Sequence, residues 1–193
     1  MVMMIRKSLT LIALGALTLA AGQLSGRRAP SFALMDSGMR YHDILDYRGK
    51  VLILDLMQTN CPHCQKLTVL LERVKAKMGD KIQVLSMVTL PDTTATVSKY
   101  IAAHKVTSPM LFDSGQVMAA YMKIDPLRPA PVDFPHLFIV DAQGFIREDF
   151  GQQQVQSLTE ASLTAAINQA MQGGIVAAPP QPKSATPPPV KKK

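Results

Sequence analysis

The chain holds two cysteines in 193 residues, and they stand three apart as Cys61-Pro62-His63-Cys64. Attack on a disulfide needs a thiolate, and a helix N-terminus stabilises one through its unpaired N–H groups. Pro62 suits the first position of a helix, where its missing N–H costs nothing, so Cys61 falls at the cap and Cys64 inside the first turn. The spacing lets the two sulfurs meet. It makes Cys61 the expected nucleophile and Cys64 the resolving thiol of a thiol–disulfide exchange pair. Two other uses of such a pair are half a zinc site and an inert structural disulfide. No second pair exists to complete a zinc site, and a loop this short gains little from closure.

These residues need elements to hold them. Val51–Met57, apolar on both faces, suits a central strand covered by helices on both sides. Asp55 lies in the middle of it. A carboxyl there is desolvated, which disfavours its charged form and raises its pKa toward the working range. From Cys64 onward, Leu67, Leu71, Val74 and Met78 recur at helical spacing up to Gly79, predicting about four turns of helix. A small hairpin is expected over Asp36-Ser37-Gly38, and Ile82–Val88 reads as the next strand. A helix over 93–105, a short strand at Met110–Phe112 and a helix over Gln116–Met122 follow. The pattern then predicts strands at 137–140 and 145–148 joined through Asp141-Ala142-Gln143-Gly144, and a closing helix over 158–171. Strands alternating with helices, then a hairpin and a last helix, give a three-layer α/β domain around a mixed sheet.

The ends read differently. Arg6 and Lys7 precede an uncharged, mainly apolar run over 9–21, the layout of a secretory signal or N-terminal membrane anchor over residues 1–22. The run is short for a span of about 20 residues. Residues 176–193 are rich in proline and lysine and read as a solvated, extended tail, which leaves 23–175 for the folded domain. The formal net charge is +7. Setting aside Arg6, Lys7, Lys183 and Lys191 to Lys193 leaves 15 basic residues against 14 acidic ones. A folded part so near neutrality gives no support to nucleic-acid binding.

The order of elements and the motif together resemble the thioredoxin fold. From about Arg28 to Met171 the chain resembles the exported TlpA/ResA-type thioredoxin-like proteins of the redoxin (AhpC/TSA-like) group. The residues that carry the likeness are Ala29-Pro30-Ser31-Phe32, Arg48-Gly49-Lys50-Val51, Cys61-Pro62-His63-Cys64, Phe134-Pro135 and Asp141-Ala142-Gln143-Gly144. The resemblance implies an α/β/α thioredoxin fold with an N-terminal β-hairpin extension and a cis Phe134-Pro135 bond beside the cysteines. It implies a substrate groove lined by Pro62, His63, Phe134 and Pro135, which an extended chain enters by strand addition. Asp55 matches the buried aspartate that relays a proton to or from Cys64. The implied activity is protein-disulfide oxidoreduction in an exported, periplasm-like compartment, in cytochrome maturation or oxidative folding. Its implied partners are protein dithiols or disulfides and a further redox protein, with no cofactor.

Three residues depart from the pattern. Asn60 stands where thioredoxins carry tryptophan, Phe134 is bulkier than the usual residue before the cis-proline, and Leu67 replaces a functional glutamate of ResA-type proteins. The Pro-His pair resembles DsbA instead, and a cation at His63 stabilises the reduced form, pushing the disulfide toward being an oxidant. Copper delivery is the alternative from another class, with His136 as third ligand to the two sulfurs. The twelve methionines are better explained by core packing. A thiol peroxidase would share the Ala29-Pro30-Ser31-Phe32 opening, but its P-x-x-x-T-x-x-C signature fails here, since Gln58 and Cys61 hold the threonine position before Cys61 and Cys64 respectively. His42 and His104 show no partner cluster in the sequence and read as ordinary surface or helix residues.

Overall fold

The computed structural model describes residues 22–125 and 127–173. The expected leader, apart from Gly22, and the expected Pro/Lys-rich tail lie outside the described residues. Five strands form one mixed sheet in the order β5-β4-β3-β6-β7: β3 (Val51–Met57), β4 (Ile82–Val88), β5 (Met110–Phe112), β6 (His136–Val140) and β7 (Ile146–Phe150). β3 runs parallel to β4, and β4 to β5, while β6 is antiparallel to both β3 and β7. All seven residues of β3 are buried, as a strand covered on both faces requires.

Side-chain alternation along β3 divides the core. Val51 and Ile53 pack against Leu67, Leu71 and Val74 of α1 (Pro62–Met78) and against Leu163 and Ile167 of α5 (Glu160–Met171). Leu52, Leu54 and Leu56 face the other way, onto Met118 and Tyr121 of α3 (Gln116–Met122) and onto Phe32 of the N-terminal segment. Asp55 shares the parity of Ile53 and Met57, so the pleat sends its side chain to the α1 face. Cys64 belongs to a third cluster on that face with Met57, Val88 and Met110, closed by Val97 and Tyr100 of α2 (Thr94–His104).

The expected hairpin, whose strands the sequence places at 31–34 and 39–41, is present one to two residues further along: β1 (Ala33–Met35) pairs with β2 (Tyr41–Asp43). Asp36 sets the shift. Its Oδ1 accepts from the N–H groups of Gly38 and Arg40, so the turn is built on a side chain rather than on a tight two-residue loop. His42, read from the sequence as an ordinary residue, bonds the buried Asp36 carboxylate at 2.9 Å and the Tyr47 hydroxyl. His104 packs against the Tyr100 ring at 4.4 Å.

The second difference is at the C-terminal end. The expected helix over 158–171 is present as α5, starting two residues later, and a six-residue α4 (Gln152–Ser157), not expected from the sequence, precedes it with Leu158 extended between them. Thr159 accepts from the Ser162 N–H, and the Ser162 hydroxyl accepts in return from the Thr159 N–H, so the longer helix starts there. The β6–β7 turn closes at Gly144 with φ +86°, where a side chain would be strained. No helix among the described residues is long and apolar enough to cross a membrane.

Candidate active site at the start of helix α1

Cys61 is the N-cap of α1 and Pro62 its first residue. The cap backbone is extended, with φ −88° and ψ 116°, and its sulfur accepts the Cys64 N–H at 3.2 Å. The Cys64 N–H is thus one of the first-turn N–H groups of α1 that the cap sulfur satisfies. Both cysteines are free thiols in this structure, Cys61 half-exposed and Cys64 buried. The two sulfurs are therefore distinguished by burial.

Burial pushes the Cys64 thiol far above its ordinary range; its hydrogen bond to Cys61 and the negative charge of Asp55 push it further the same way. Asp55 has no exposed surface, and neither carboxyl oxygen has a hydrogen-bond partner among the described residues. Desolvation alone raises it from 3.8 to about 8. This matches the desolvation expected from the apolar run around it. A carboxyl that titrates near neutrality, and whose charge is felt by a buried thiol, has a proton affinity in the range that acid–base work requires.

The Phe134-Pro135 bond is cis, as expected, and Leu90-Pro91 is cis as well. Pro135 is buried, and the carbonyl oxygen of Phe134 lies 3.7 Å from the Cys61 sulfur. The cis-proline loop thus stands beside the Cys61 sulfur. Pro62 is exposed, and half-buried His63 lines a groove of about 320 Å³ with Lys66, Leu67, Leu70 and Val155. On the other side of the motif, exposed Asn60 opens a groove of about 280 Å³ with Thr59, Gln65, Tyr100 and His104.

His136 does not approach the sulfurs. It pairs in register with Leu56, on the face opposite α1, stacks on Phe138 at 4.6 Å and lies 3.6 Å from Asp149. The third ligand of a copper site is therefore directed away from the cysteines. Among the described residues no three His, Cys, Asp or Glu side chains cluster closely enough to hold a metal ion.

Several supporting residues have no signature in the sequence. Asp92, just after the Leu90-Pro91 bond, accepts from the Thr59 N–H at 3.0 Å, from the Thr59 hydroxyl and from the Thr96 hydroxyl at 2.9 Å. The Gln65 side chain donates to the Thr59 carbonyl at 3.2 Å, so the approach to Cys61 is tied at both backbone groups. Gln152 donates to the Phe134 carbonyl at 2.8 Å. These are contacts between distant segments, and pattern reading along the chain carries no trace of them. Asp92→Ala is expected to cost about 1–3 kcal/mol, because the Thr59 N–H loses its partner; a urea midpoint unchanged from the parent chain would remove that role.

Comparison with known proteins agrees with this geometry. The sequence model described as the AhpC/TSA family matches residues 25–149. Thiol-disulfide oxidoreductase ResA of Bacillus thuringiensis (strain Al Hakam) is 23% identical over 138 residues, 72% of this chain and 76% of that protein. ResA of Geobacillus thermodenitrificans is 28% identical over 125 residues, covering 64% and 67%. Among solved structures, a thioredoxin-family thiol:disulfide interchange protein from Chlorobium tepidum TLS superposes with a TM-score of 0.64 at 18% identity, over 75% of this chain and 95% of that one. The fold is thioredoxin-like, with the β1–β2 hairpin as its N-terminal extension.

Proposed function

We propose that this chain, which belongs to the AhpC/TSA family over residues 25–149, is a protein thiol–disulfide oxidoreductase. The observation that carries the reading is the Cys61 sulfur. It is half-exposed at the cap of α1, accepts the Cys64 N–H, and stands beside the Phe134 carbonyl of the cis-proline loop. The names of the ResA relatives support the same activity.

The Cys61 thiolate attacks one sulfur of a substrate disulfide, forming a mixed disulfide and releasing the other substrate sulfur as a thiolate. Asp55 then takes the Cys64 proton, and the Cys64 thiolate attacks the Cys61 sulfur. The mixed disulfide breaks, the second substrate thiol leaves, and the Cys61–Cys64 disulfide forms. Two electrons have moved from the protein to the substrate. The same steps in reverse oxidise a dithiol, and the potential of the redox partner sets the direction. Pro62 and His63 flank the attacking sulfur, while Phe134 and Pro135 form the edge along which an extended substrate lies.

The expected setting is an exported, periplasm-like compartment, reached through the segment at residues 1–22, with the domain either soluble there or anchored by that segment. Its substrates there are protein dithiols or disulfides of cytochrome maturation or oxidative folding. The test is Cys64→Ser, expressed in the native host. A protein disulfide-linked to Cys61 is the expected product, because the resolving thiol is gone. Absence of any such adduct, with the variant folded and exported, counts against the function; an adduct confined to the cytoplasm counts against the compartment.

A further inference from the structure

The Phe134 carbonyl is the acceptor that an incoming extended chain needs, yet it is already engaged. A carbonyl oxygen has two lone pairs. The Cys61 sulfur sits 3.7 Å away on one side, and the Gln152 side-chain nitrogen donates from another at 2.8 Å. A carbonyl acceptor fixes which end of the Gln152 amide faces it, since only the nitrogen can donate. Gln152 is half-buried at the first turn of α4. That helix is anchored by buried Val155, and the Gly151 N–H donates to the Gln154 side chain at 2.7 Å. The position of Gln152 is thus set by packing independent of the cysteines.

We infer that Gln152 is a specificity-determining residue, a side-chain amide that holds the place of a substrate backbone N–H at the Phe134 carbonyl. The inference rests on the thiol-exchange reading above and adds the device that screens its substrates. An amide N–H 2.8 Å from that oxygen is chemically the group a substrate strand presents there, so the strand exchanges one amide hydrogen bond for another instead of gaining a new one. A ligand with a flanking backbone amide in the right register displaces Gln152. A disulfide without one reacts at Cys61 and leaves Gln152 in place. The residue therefore lowers affinity for every extended chain and raises the demand on correct register.

The test uses the full chain, reduced and recycled by dithiothreitol, with two probes that release the same chromophore. One is an extended peptide whose cysteine carries thionitrobenzoate; the other is 5,5′-dithiobis(2-nitrobenzoate), which has no backbone amide. Gln152→Ala is expected to lower KM for the peptide roughly threefold to tenfold, with kcat and the rate on the small disulfide unchanged. Binding of the same peptide with serine in place of cysteine, followed by fluorescence anisotropy, should tighten by the same factor. Methylating the amide nitrogens that flank the cysteine should abolish the gain. An unmoved or raised peptide KM, or equal changes on both probes, overturns the role of Gln152 while leaving thiol exchange intact. Absence of any Cys61-dependent turnover by the parent chain overturns the exchange reading, and this inference with it.

Discussion

Asp55→Asn should flatten the pH dependence of stability and slow the second chemical step. The Asp55 carboxyl titrates at about 8 in the folded chain against an ordinary 3.8. Between those values the native state keeps a proton that the unfolded chain gives up, so stability falls as pH rises from about 4 to about 8 and levels off above. A shift of this size amounts to on the order of 5 kcal/mol across that window. The asparagine variant carries no such titration. Its amide is left without partners, at about 1–3 kcal/mol, so it should equal or fall slightly below the parent at pH 5 and exceed it by a few kcal/mol at pH 8.5. Urea unfolding at a series of pH values reads this directly. Two parallel curves would show that the carboxyl is solvated in the native state.

The same substitution removes the carboxyl that the proposed mechanism uses to take the Cys64 proton. Resolution of the mixed disulfide should slow by about a hundredfold, while the first attack by Cys61 stays within a small factor of the parent. Stopped-flow reduction of a small disulfide separates the two steps. A resolution rate unchanged across pH 6 to 9 would return Asp55 to the status of a buried acid without a task.

Alkylation of the reduced protein should be at least about a hundredfold faster at Cys61 than at Cys64 at pH 7. Two independent causes act in the same direction. Cys64 has no exposed surface, and burial together with its hydrogen bond to Cys61 holds its thiol in the unreactive protonated form. Only the thiolate reacts, so a thiol held protonated by burial contributes little to the reactive fraction. Cys61 is half-exposed at the helix cap. Limited treatment with iodoacetamide followed by peptide mass spectrometry gives the ratio, and unfolding in urea should bring it near one. Equal labelling in the folded chain, or faster labelling of Cys64, would reverse the assignment of nucleophile and resolver. Cys61→Ser should then be the silent variant, instead of the one that ends all turnover.

Much of the site was legible along the chain because its signals are local. The Cys61-Pro62-His63-Cys64 run contains its own positioning: proline at the first helical position puts one cysteine at the cap and the other in the first turn. The α1 face followed from Leu67, Leu71 and Val74 at steps of three and four, and the helix ends at Gly79, whose φ of +59° suits glycine. The desolvation of Asp55 followed from the apolar residues on both sides of it, because a strand with two buried faces leaves no solvated side for a carboxyl. The paired strands around Asp141 to Gly144 and the β1–β2 hairpin were visible in their turn residues, with bounds displaced where the Asp36 side chain built the turn.

Tertiary structure decided what depends on which segments meet. Sequence left His136 free to approach the sulfurs; pairing with Leu56 put it on the opposite face of the sheet, beside Asp149. One residue of register decides this, since neighbours in a strand point to opposite faces. The short α4, which no sequence pattern announced, placed Gln152 against the Phe134 carbonyl, a contact between residues 18 apart in the chain. The Asp92 side chain reached Thr59 across 33 residues to tie down the approach to Cys61. Spacing within one element is written into the order of residues, because a helix or strand has a fixed period. Contacts between elements depend on packing of the whole sheet, and no local pattern encodes them.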